Sequence, residues 1–339
     1  MSFTRRDLLR TAAIGGAATL AAPLAAPAIV HATGSLDPIR VGYLHTLAVD
    51  GQIWTAAHHG FWEKQGLKPT FTRFYTGLEI FQAMVGNSID VLSTGAVISN
   101  FPSRGQGKAF LINSVEFATA QLWVNPEMGI ASFADLKGKK IATSIGTTAH
   151  VFLDRALRAN GLDPKTDVQI INQRMPDATT AFISGAVPAV ALWVPFNLQI
   201  RQRVPGAKML VDASAFYPDA AILGGWAARN DFYEQRKDVL ERIIKAWLPA
   251  NRELIENPEA TLKMLQETQY TDVPLAELKE QFAAQKLFPA EKWAEMYRDG
   301  TVTDWLNRVT DFYAKIGGAS DVIPATKYFD PALFLKAVG

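Results

Sequence analysis

Short apolar runs that suit buried β-strands alternate along the chain with segments of helical periodicity. The runs are rich in β-branched and aliphatic residues, and they occupy residues 38–45, 69–74, 89–94, 108–113, 139–145, 167–172, 189–194 and 207–213. Between them, apolar residues recur at i, i+3 and i+4, as in Leu153, Ala156 and Leu157. This alternation predicts doubly wound α/β sheets. After Trp226 the pattern changes to longer helices, which predicts a helical C-terminal segment.

The strand–helix units fall into two sets, and the sequence therefore predicts an α/β protein of two lobes joined by a hinge. We expect a first lobe over residues 33–124, a second over 125–222, and a return to the first lobe over 223–339 with the C-terminal helices. The predicted crossings lie near Val124 and Leu223. Ligands of such sheets bind at the carboxyl ends of the strands, so the cleft between the lobes is the expected site.

Two turns of similar design, each leading from a predicted strand into a helix, occur one in each half of the chain; each such turn is called a corner below. In the second half a strand stops before Gly146, and a helix begins through Thr147 and Thr148; in the first half Thr94 and Gly95 precede an apolar helix. The first N–H groups of a helix lack intrahelical partners and attract anions. Hydroxyl groups at one such corner either cap the helix or share its N–H groups with a ligand. Two facing corners favour binding of an anion.

Five further side chains are candidates for the cleft. His45 and Thr46 follow the first strand, Glu116 follows the fourth, His150 lies on the first turn after Thr147, and Trp193 ends an apolar strand. Each also has a structural interpretation: a solvated histidine, a loop carboxylate that meets no ligand, or an aromatic ring that packs in the core. We expect His150 to reach an anion and Glu116 to meet a cationic part of a ligand.

The N-terminus carries the features of an export signal over residues 1–32. Arg5 and Arg6 precede an uncharged, alanine-rich stretch that runs from Thr11 to Val30, and we expect cleavage after Ala32. The arginine pair resembles the twin-arginine signal, which implies the twin-arginine translocase as a partner. A permanent membrane anchor is the alternative, but prolines and glycines in the stretch make it a poor spanning helix.

Composition narrows the classes of function. The chain has no cysteine, which excludes disulfides, thiolate nucleophiles, cysteine metal sites and a lipidated N-terminal cysteine. Without residues 1–32 it keeps 31 basic and 32 acidic side chains, a balance not suited to nucleic acid. The common catalytic and phosphate-binding motifs do not occur. We therefore expect a non-enzymatic protein of the periplasm with no cofactor and no bound metal.

Four segments carry a family resemblance. Residues 60–67 (GFWEKQGL), 74–101, 129–150 and 191–196 (ALWVPF) resemble the periplasmic solute-binding proteins of the taurine, aliphatic sulfonate and nitrate ABC importers, a group that includes binders of thiamine-pyrimidine precursors. The resemblance implies a monomeric type II periplasmic binding protein that closes around a small anion. Its implied partners are an ABC permease and the ATPase that drives it.

The resemblance also bears on the site residues. In sulfonate-binding relatives the corner that matches Gly146, Thr147, Thr148 and His150 lies against the anionic head, and the corner that matches Thr94 and Gly95 faces it. Two departures occur, at Pro188, where relatives usually have an aspartate, and at Val194, where they often have an acidic or small residue. Both imply a less polar cleft and a ligand with an apolar or aromatic body.

Three alternatives stay open at this point. In the first, the ligand is a thiamine-pyrimidine precursor or another neutral heterocycle. In the second, the protein is a periplasmic sensor that presents its closed form to a membrane receptor. In the third, it is an enzyme similar to the pyridoxal-phosphate-dependent pyrimidine synthases. Those synthases carry a cysteine-rich segment, which this chain lacks.

The export signal generates the first testable prediction. Replacing Arg5 and Arg6 together by lysine should block export while leaving the charge unchanged, because the twin-arginine route reads the arginine pair itself. The measurement is the amount of protein in periplasmic and cytoplasmic fractions. A normal periplasmic yield of the double variant would assign the protein to the general secretory route.

Overall fold

The computed structural model describes residues 36–317 and 322–339, and the predicted export signal lies outside these ranges. The described residues form two five-stranded sheets, one in each lobe. The strands are β1 Asp37–Leu44, β2 Leu67–Phe74, β3 Val91–Thr94, β4 Lys108–Val115, β5 Ala120–Val124, β6 Lys140–Thr143, β7 Gln169–Asn172, β8 Ala189–Trp193, β9 Lys208–Asp212 and β10 Leu223–Ala228.

Each sheet combines parallel strands with one strand that runs against its neighbours. In the first sheet the order is β2-β1-β3-β10-β4, and β10 is antiparallel to both β3 and β4. In the second the order is β7-β6-β8-β5-β9, with β5 antiparallel to β8 and β9. The parallel strands end at one edge of each sheet, and the cleft described below lies at these carboxyl edges.

Helices cover the sheets and form most of the C-terminal region. The α-helices are α1 Leu47–His58, α2 Phe61–Lys64, α3 Gly77–Val85, α4 Thr148–Ala159, α5 Met175–Ile183, α6 Phe196–Arg203, α7 Asn230–Gln235, α8 Lys237–Glu256, α9 Pro258–Thr268, α10 Leu275–Ala283, α11 Ala290–Arg298, α12 Thr301–Gly317, α13 Ala325–Tyr328 and α14 Ala332–Val338. Within the described ranges, none of these helices combines the length and the apolar character needed to cross a membrane.

All eight predicted strands are present, but the first lobe boundary requires a correction. The chain leaves the first sheet at Val115 and enters the second at Ala120, so β5 belongs to the second lobe and the crossing lies before the position expected near Val124. The segment Ala120–Val124 was not predicted as a strand of its own. It pairs along its whole length with β8, and this pairing fixes its place in the second sheet.

The C-terminal helices also depart from the expected arrangement, because α12 has residues in the cores of both lobes. Val302, Trp305 and Leu306 lie in the core of the first lobe. Val309 and Tyr313, one to two turns further along the same helix, lie in a core cluster of the second lobe that also contains residues of β5, β6 and α4. The expectation that residues 223–339 return entirely to the first lobe is therefore wrong for the second half of α12.

The strand β10 has to pass between β3 and β4, and glycine makes this possible. A Cβ atom on Gly225 would lie 2.7 Å from the carbonyl oxygen of Leu111 and 2.8 Å from Cδ1 of Ile112. Backbone atoms cannot give way without disturbing the pairing of β10 with β4. The close approach therefore requires a residue without a side chain at position 225.

We expect Gly225→Ala to lower the free energy of unfolding by about 1–3 kcal/mol, the usual cost of overpacking a well-packed interior. The measurement is urea denaturation followed by circular dichroism. Gly206→Ala is the matched control, because its new Cβ would meet only ordinary contacts at 3.6 Å. Equal stability of the two variants would contradict the close approach of β10.

Candidate functional site

A cavity of about 20 Å³ lies between the two lobes, at the carboxyl ends of β1, β3 and β8. This volume holds about one water molecule. Among the lining residues are seven of the ten predicted site residues: Thr46, Thr94, Gly95, Glu116, Thr147, Thr148 and Trp193. The apolar part of the wall includes Leu44, Val49 and Val97. The predicted residues His45, Gly146 and His150 are not part of the lining.

The corner of the second lobe is built by a glycine turn that leads into α4. Gly146 has a φ of +82°, a left-handed conformation that favours glycine. Thr147 is the N-cap residue, but its side chain makes no capping bond; its hydroxyl donates to the carbonyl of Ser144 at 2.6 Å. The hydroxyl of Thr147 is therefore turned away from the first N–H groups of α4, in contrast to the capping role that its position permits.

The corner of the first lobe differs from the expected one. Gly95 does not lead into an α-helix but into a 3₁₀ helix of four residues, Ala96–Ser99. So short a helix carries a smaller dipole than α4, and the two corners are therefore not equivalent sources of positive potential. The correction follows from the sequence itself, because the run after Gly95 reaches Asn100 and then Pro102 within a few residues.

The two corners are joined by the hydroxyl group of Thr148. The N–H of Ala96, the first residue after the first corner, donates to Oγ1 of Thr148 at 3.0 Å. The same hydroxyl donates to Oε1 of Glu116 at 3.3 Å. Thr148 is buried and begins α4 in the second lobe, whereas Ala96 belongs to the first. One hydroxyl therefore connects the lobes at the centre of the cleft.

Glu116 directly follows β4, where the chain leaves the first sheet. Its side chain is buried, and it accepts a hydrogen bond from Oγ1 of Thr119 at 3.1 Å in addition to that from Thr148. Burial raises the pKa of the Glu116 carboxyl to about 7, although these hydroxyls and the N–H of Ala96 partly oppose the rise. A Cβ atom on Gly95 would lie only 2.1 Å from Oε1 of Glu116, so the carboxyl is packed directly against the first corner.

His150 is held inside the second lobe. Its Nδ1 atom accepts the N–H of Gly146 at 3.1 Å, and its ring lies edge-on to Phe312 of α12, with 5.3 Å between the ring centroids. Burial lowers the pKa of His150 to about 4, against an opposing contribution from Asp154. The imidazole is therefore neutral at physiological pH, and its Nδ1 acts as an acceptor that shapes the turn at Gly146.

His45 takes part in a cluster of the first lobe that the sequence did not predict. Its Nδ1 lies 2.7 Å from Oδ2 of the buried Asp50, which also accepts from Trp54 Nε1 at 2.9 Å and from the hydroxyl of Tyr270. The His45 ring stacks on that of Tyr270, with centroids 4.3 Å apart. The contact of Asp50 with Tyr270 joins residues 220 positions apart, and no local signal in the sequence marks it.

Three side chains of the cavity wall, those of Thr46, Thr94 and Trp193, are polar or aromatic. Oγ1 of Thr94 is buried and has no hydrogen-bond partner among the described residues. Trp193 ends β8, lies edge-on to Phe196, and lines the cavity. Thr46 precedes α1 as its N-cap residue and makes no side-chain capping bond. These groups are available to a bound molecule.

The two departures from the family pattern do not lie at the cavity. Pro188 precedes β8 at its amino end and accepts the N–H of Asn125. It lies five positions before Trp193, a distance of about 16 Å in a strand. Val194 lines a separate groove beside α6 and α10. Neither position lines this cavity, so neither sets its polarity.

Salt bridges join the two lobes outside the cavity. Arg174, which precedes α5, pairs with Glu79 of α3 at 2.8 Å, and its guanidinium lies 5.5 Å from the ring centroid of Tyr75. Arg201 of α6 pairs with Glu280 of α10 at 2.7 Å. In the part of the chain that the structure describes, no group of three or more His, Asp or Glu side chains is arranged to hold a metal ion.

Comparisons with known proteins agree with this architecture. A binding protein of Brucella abortus is 30% identical over 292 residues, which cover 86% of this chain and 90% of the relative. The taurine-binding periplasmic protein of Escherichia coli is 26% identical over 243 residues, 71% of this chain and 73% of that protein. The solved structure of the alkanesulfonate-binding protein SsuA from Xanthomonas axonopodis, bound to MOPS, is 21% identical and has a TM-score of 0.71 over 87% of this chain and 98% of its own.

The structural similarity confirms the predicted fold, in which two α/β lobes face each other across a cleft. The family model described as "NMT1/THI5 like" matches residues 51–261. The resemblance found in the sequence is confirmed by this match and by the relatives. The chain belongs to the NMT1/THI5-like family of binding proteins.

Proposed function

We propose that this protein is the solute-binding component of an ABC importer, which captures a small organic anion between its two lobes and delivers it to the permease. Family membership supports the transport role, and the names of two related proteins, a taurine-binding and an alkanesulfonate-binding protein, support the anionic class of ligand. The protein binds the solute and does not transform it. Its site of action is the periplasm, after export by the twin-arginine translocase, and it acts as a monomer.

The observation that carries this proposal is the hydrogen bond between the two corners. The N–H of Ala96 donates to the hydroxyl oxygen of Thr148 across the cleft at 3.0 Å. An oxygen atom of a sulfonate or carboxylate offers the same acceptor to Ala96 and accepts from Thr148 as well. With the uncapped first turn of α4 beside it, an anionic head group would hold both lobes through these donors.

The closed arrangement has to open before a ligand enters, because the cavity holds only about one water molecule. The salt bridges that join the lobes permit this movement. Both pairs, Arg174–Glu79 and Arg201–Glu280, are partly exposed, and each such pair stabilises a protein by only about 0–1 kcal/mol. Hinge closure then follows from the higher affinity of the closed form for the ligand.

The remaining wall suits the organic part of the ligand. Leu44, Val49 and Val97 come from the first lobe, and Trp193 comes from the second. These side chains have no charge and bury apolar surface when the lobes close. We therefore propose a ligand that joins one anionic head group to an apolar body, either aliphatic or aromatic.

Thr148→Val tests the connection between the corners. Valine has the shape of threonine but no hydroxyl, so the N–H of Ala96 loses its acceptor; we expect a loss of about 1–3 kcal/mol of unfolding free energy, together with weaker ligand binding. Urea denaturation and isothermal titration calorimetry measure the two effects. Thr180→Val, at an exposed helix position in α5, is the control. Unchanged stability and affinity in the Thr148 variant would contradict the role of this hydroxyl.

A thermal-shift screen of the chain from Thr33 tests the class of ligand. The compounds are taurine, alkyl and aryl sulfonates, nitrate, aliphatic and aromatic carboxylates, and pyrimidine precursors. We expect organic anions that share one head group to raise the melting temperature, because a ligand that binds the native state stabilises it by mass action. A shift with neutral heterocycles alone would assign the protein to the pyrimidine branch of the family.

A further inference from the structure

The proposed anion site contains a carboxyl group of the protein itself. Glu116 lines the cavity with Thr148 and is packed against Gly95, at the place where the two corners meet. Its side-chain partners are the hydroxyls of Thr119 and Thr148. None of the salt bridges among the described residues includes Glu116, and no basic side chain contributes to its pKa.

The titratable groups around Glu116 do not compensate its charge. On α4, His150 is neutral because burial lowers its pKa to about 4. On α12, Tyr313 stays protonated, because burial and the negative charge of Glu116 both raise the pKa of its hydroxyl group. Lys286 places its ammonium over the ring of Phe117, 4.0 Å from the centroid, and does not pair with Glu116.

An anion that enters this cavity beside an ionised carboxylate meets a like charge in a buried site, where water screens little. A protonated carboxyl group has the opposite effect, because its O–H is a hydrogen-bond donor directed at the ligand. The same side chain therefore opposes or favours an anion according to its protonation state. When it is neutral, one carboxyl oxygen becomes a donor, and the hydroxyl that donates to this oxygen, that of Thr119 or Thr148, becomes available to the ligand.

We propose that Glu116 takes up one proton when the anion binds, and that the resulting carboxylic acid donates a hydrogen bond to the head group of the ligand. This inference rests on the proposed function. The proton comes from the solvent, so one anion and one proton enter the site together and its net charge does not change. Glu116 thereby acts as a specificity-determining residue, because its protonation removes the negative charge that would repel an anion.

The burial of Glu116 places this exchange near neutral pH. Burial raises the pKa of Glu116 to about 7, so the carboxyl is mostly protonated below that pH and mostly ionised above it. Binding of an anion raises this pKa further, by linkage. We expect the dissociation constant to be nearly constant below pH 6 and to increase about tenfold per pH unit above pH 7.5.

Isothermal titration calorimetry of the wild-type protein measures how many protons are taken up when one ligand binds. The probe is the tightest binder among ethanesulfonate, benzenesulfonate and benzoate, titrated at pH 8 in triethanolamine and in Tris, two buffers that are not anions and whose ionisation enthalpies differ. We expect the two apparent binding enthalpies to differ by an amount that corresponds to uptake of about one proton per ligand. Equal enthalpies in the two buffers, with normal binding, would overturn the inference.

The variant Glu116→Gln tests whether Glu116 is the residue that takes up the proton. Glutamine keeps the shape and provides an NH₂ donor at every pH, so we expect its affinity to be independent of pH between 6 and 8.5 and its proton uptake to vanish. Glu127→Gln, an exposed position in the second lobe, is the matched control and should behave as the wild type.

Three other outcomes have different meanings. If taurine alone binds, more tightly as the pH rises, and Glu116→Gln abolishes its binding, then Glu116 is an ionised acceptor for an ammonium group and the inference is wrong. If none of the three anions nor taurine binds the wild type at any pH, the proposed function itself fails. A pH-dependent affinity that persists in Glu116→Gln would assign the proton to another group.

Discussion

The arrangement of the cleft depends on one buried hydroxyl group that is bonded to both lobes. Thr148 accepts the N–H of Ala96 and donates to Glu116, so the start of α4, the first corner and the end of β4 are fixed relative to each other. Buried polar groups have to be satisfied, and here each lobe satisfies a group of the other. The two corners are therefore complementary to each other, and a ligand has to replace bonds that already exist.

Much of the fold follows from the periodicity of the sequence. The eight apolar runs are eight strands, because buried strands need continuous apolar residues and the helices between them need an amphipathic face. The two strands that were not predicted, β5 and β10, are the first strands after the two crossings between the lobes. Residues Leu223–Ala228 contain two glycines and have little strand preference of their own, so their place is fixed by β3 and β4 on either side.

The site was only partly predictable, for a physical reason. Hydroxyls and glycines at strand ends are local features, and seven of the ten residues selected in this way line the cavity. The direction in which a side chain points is not local: the hydroxyl of Thr147 turns to Ser144, and His150 turns to Gly146. The contact of Glu116 with Thr148 spans 32 residues and depends on how the lobes meet.

The helix α12 has a mechanical consequence for opening of the cleft. The first half of α12 packs in the core of the first lobe, and its second half packs in the core of the second lobe. The helix therefore connects the lobes at a third place, in addition to the two chain crossings. A continuous helix resists bending, and its length of 17 residues corresponds to about 25 Å. The lobes therefore have fewer independent directions of motion than two flexible connections would allow. Opening is therefore expected to displace least the parts of both lobes that pack against α12.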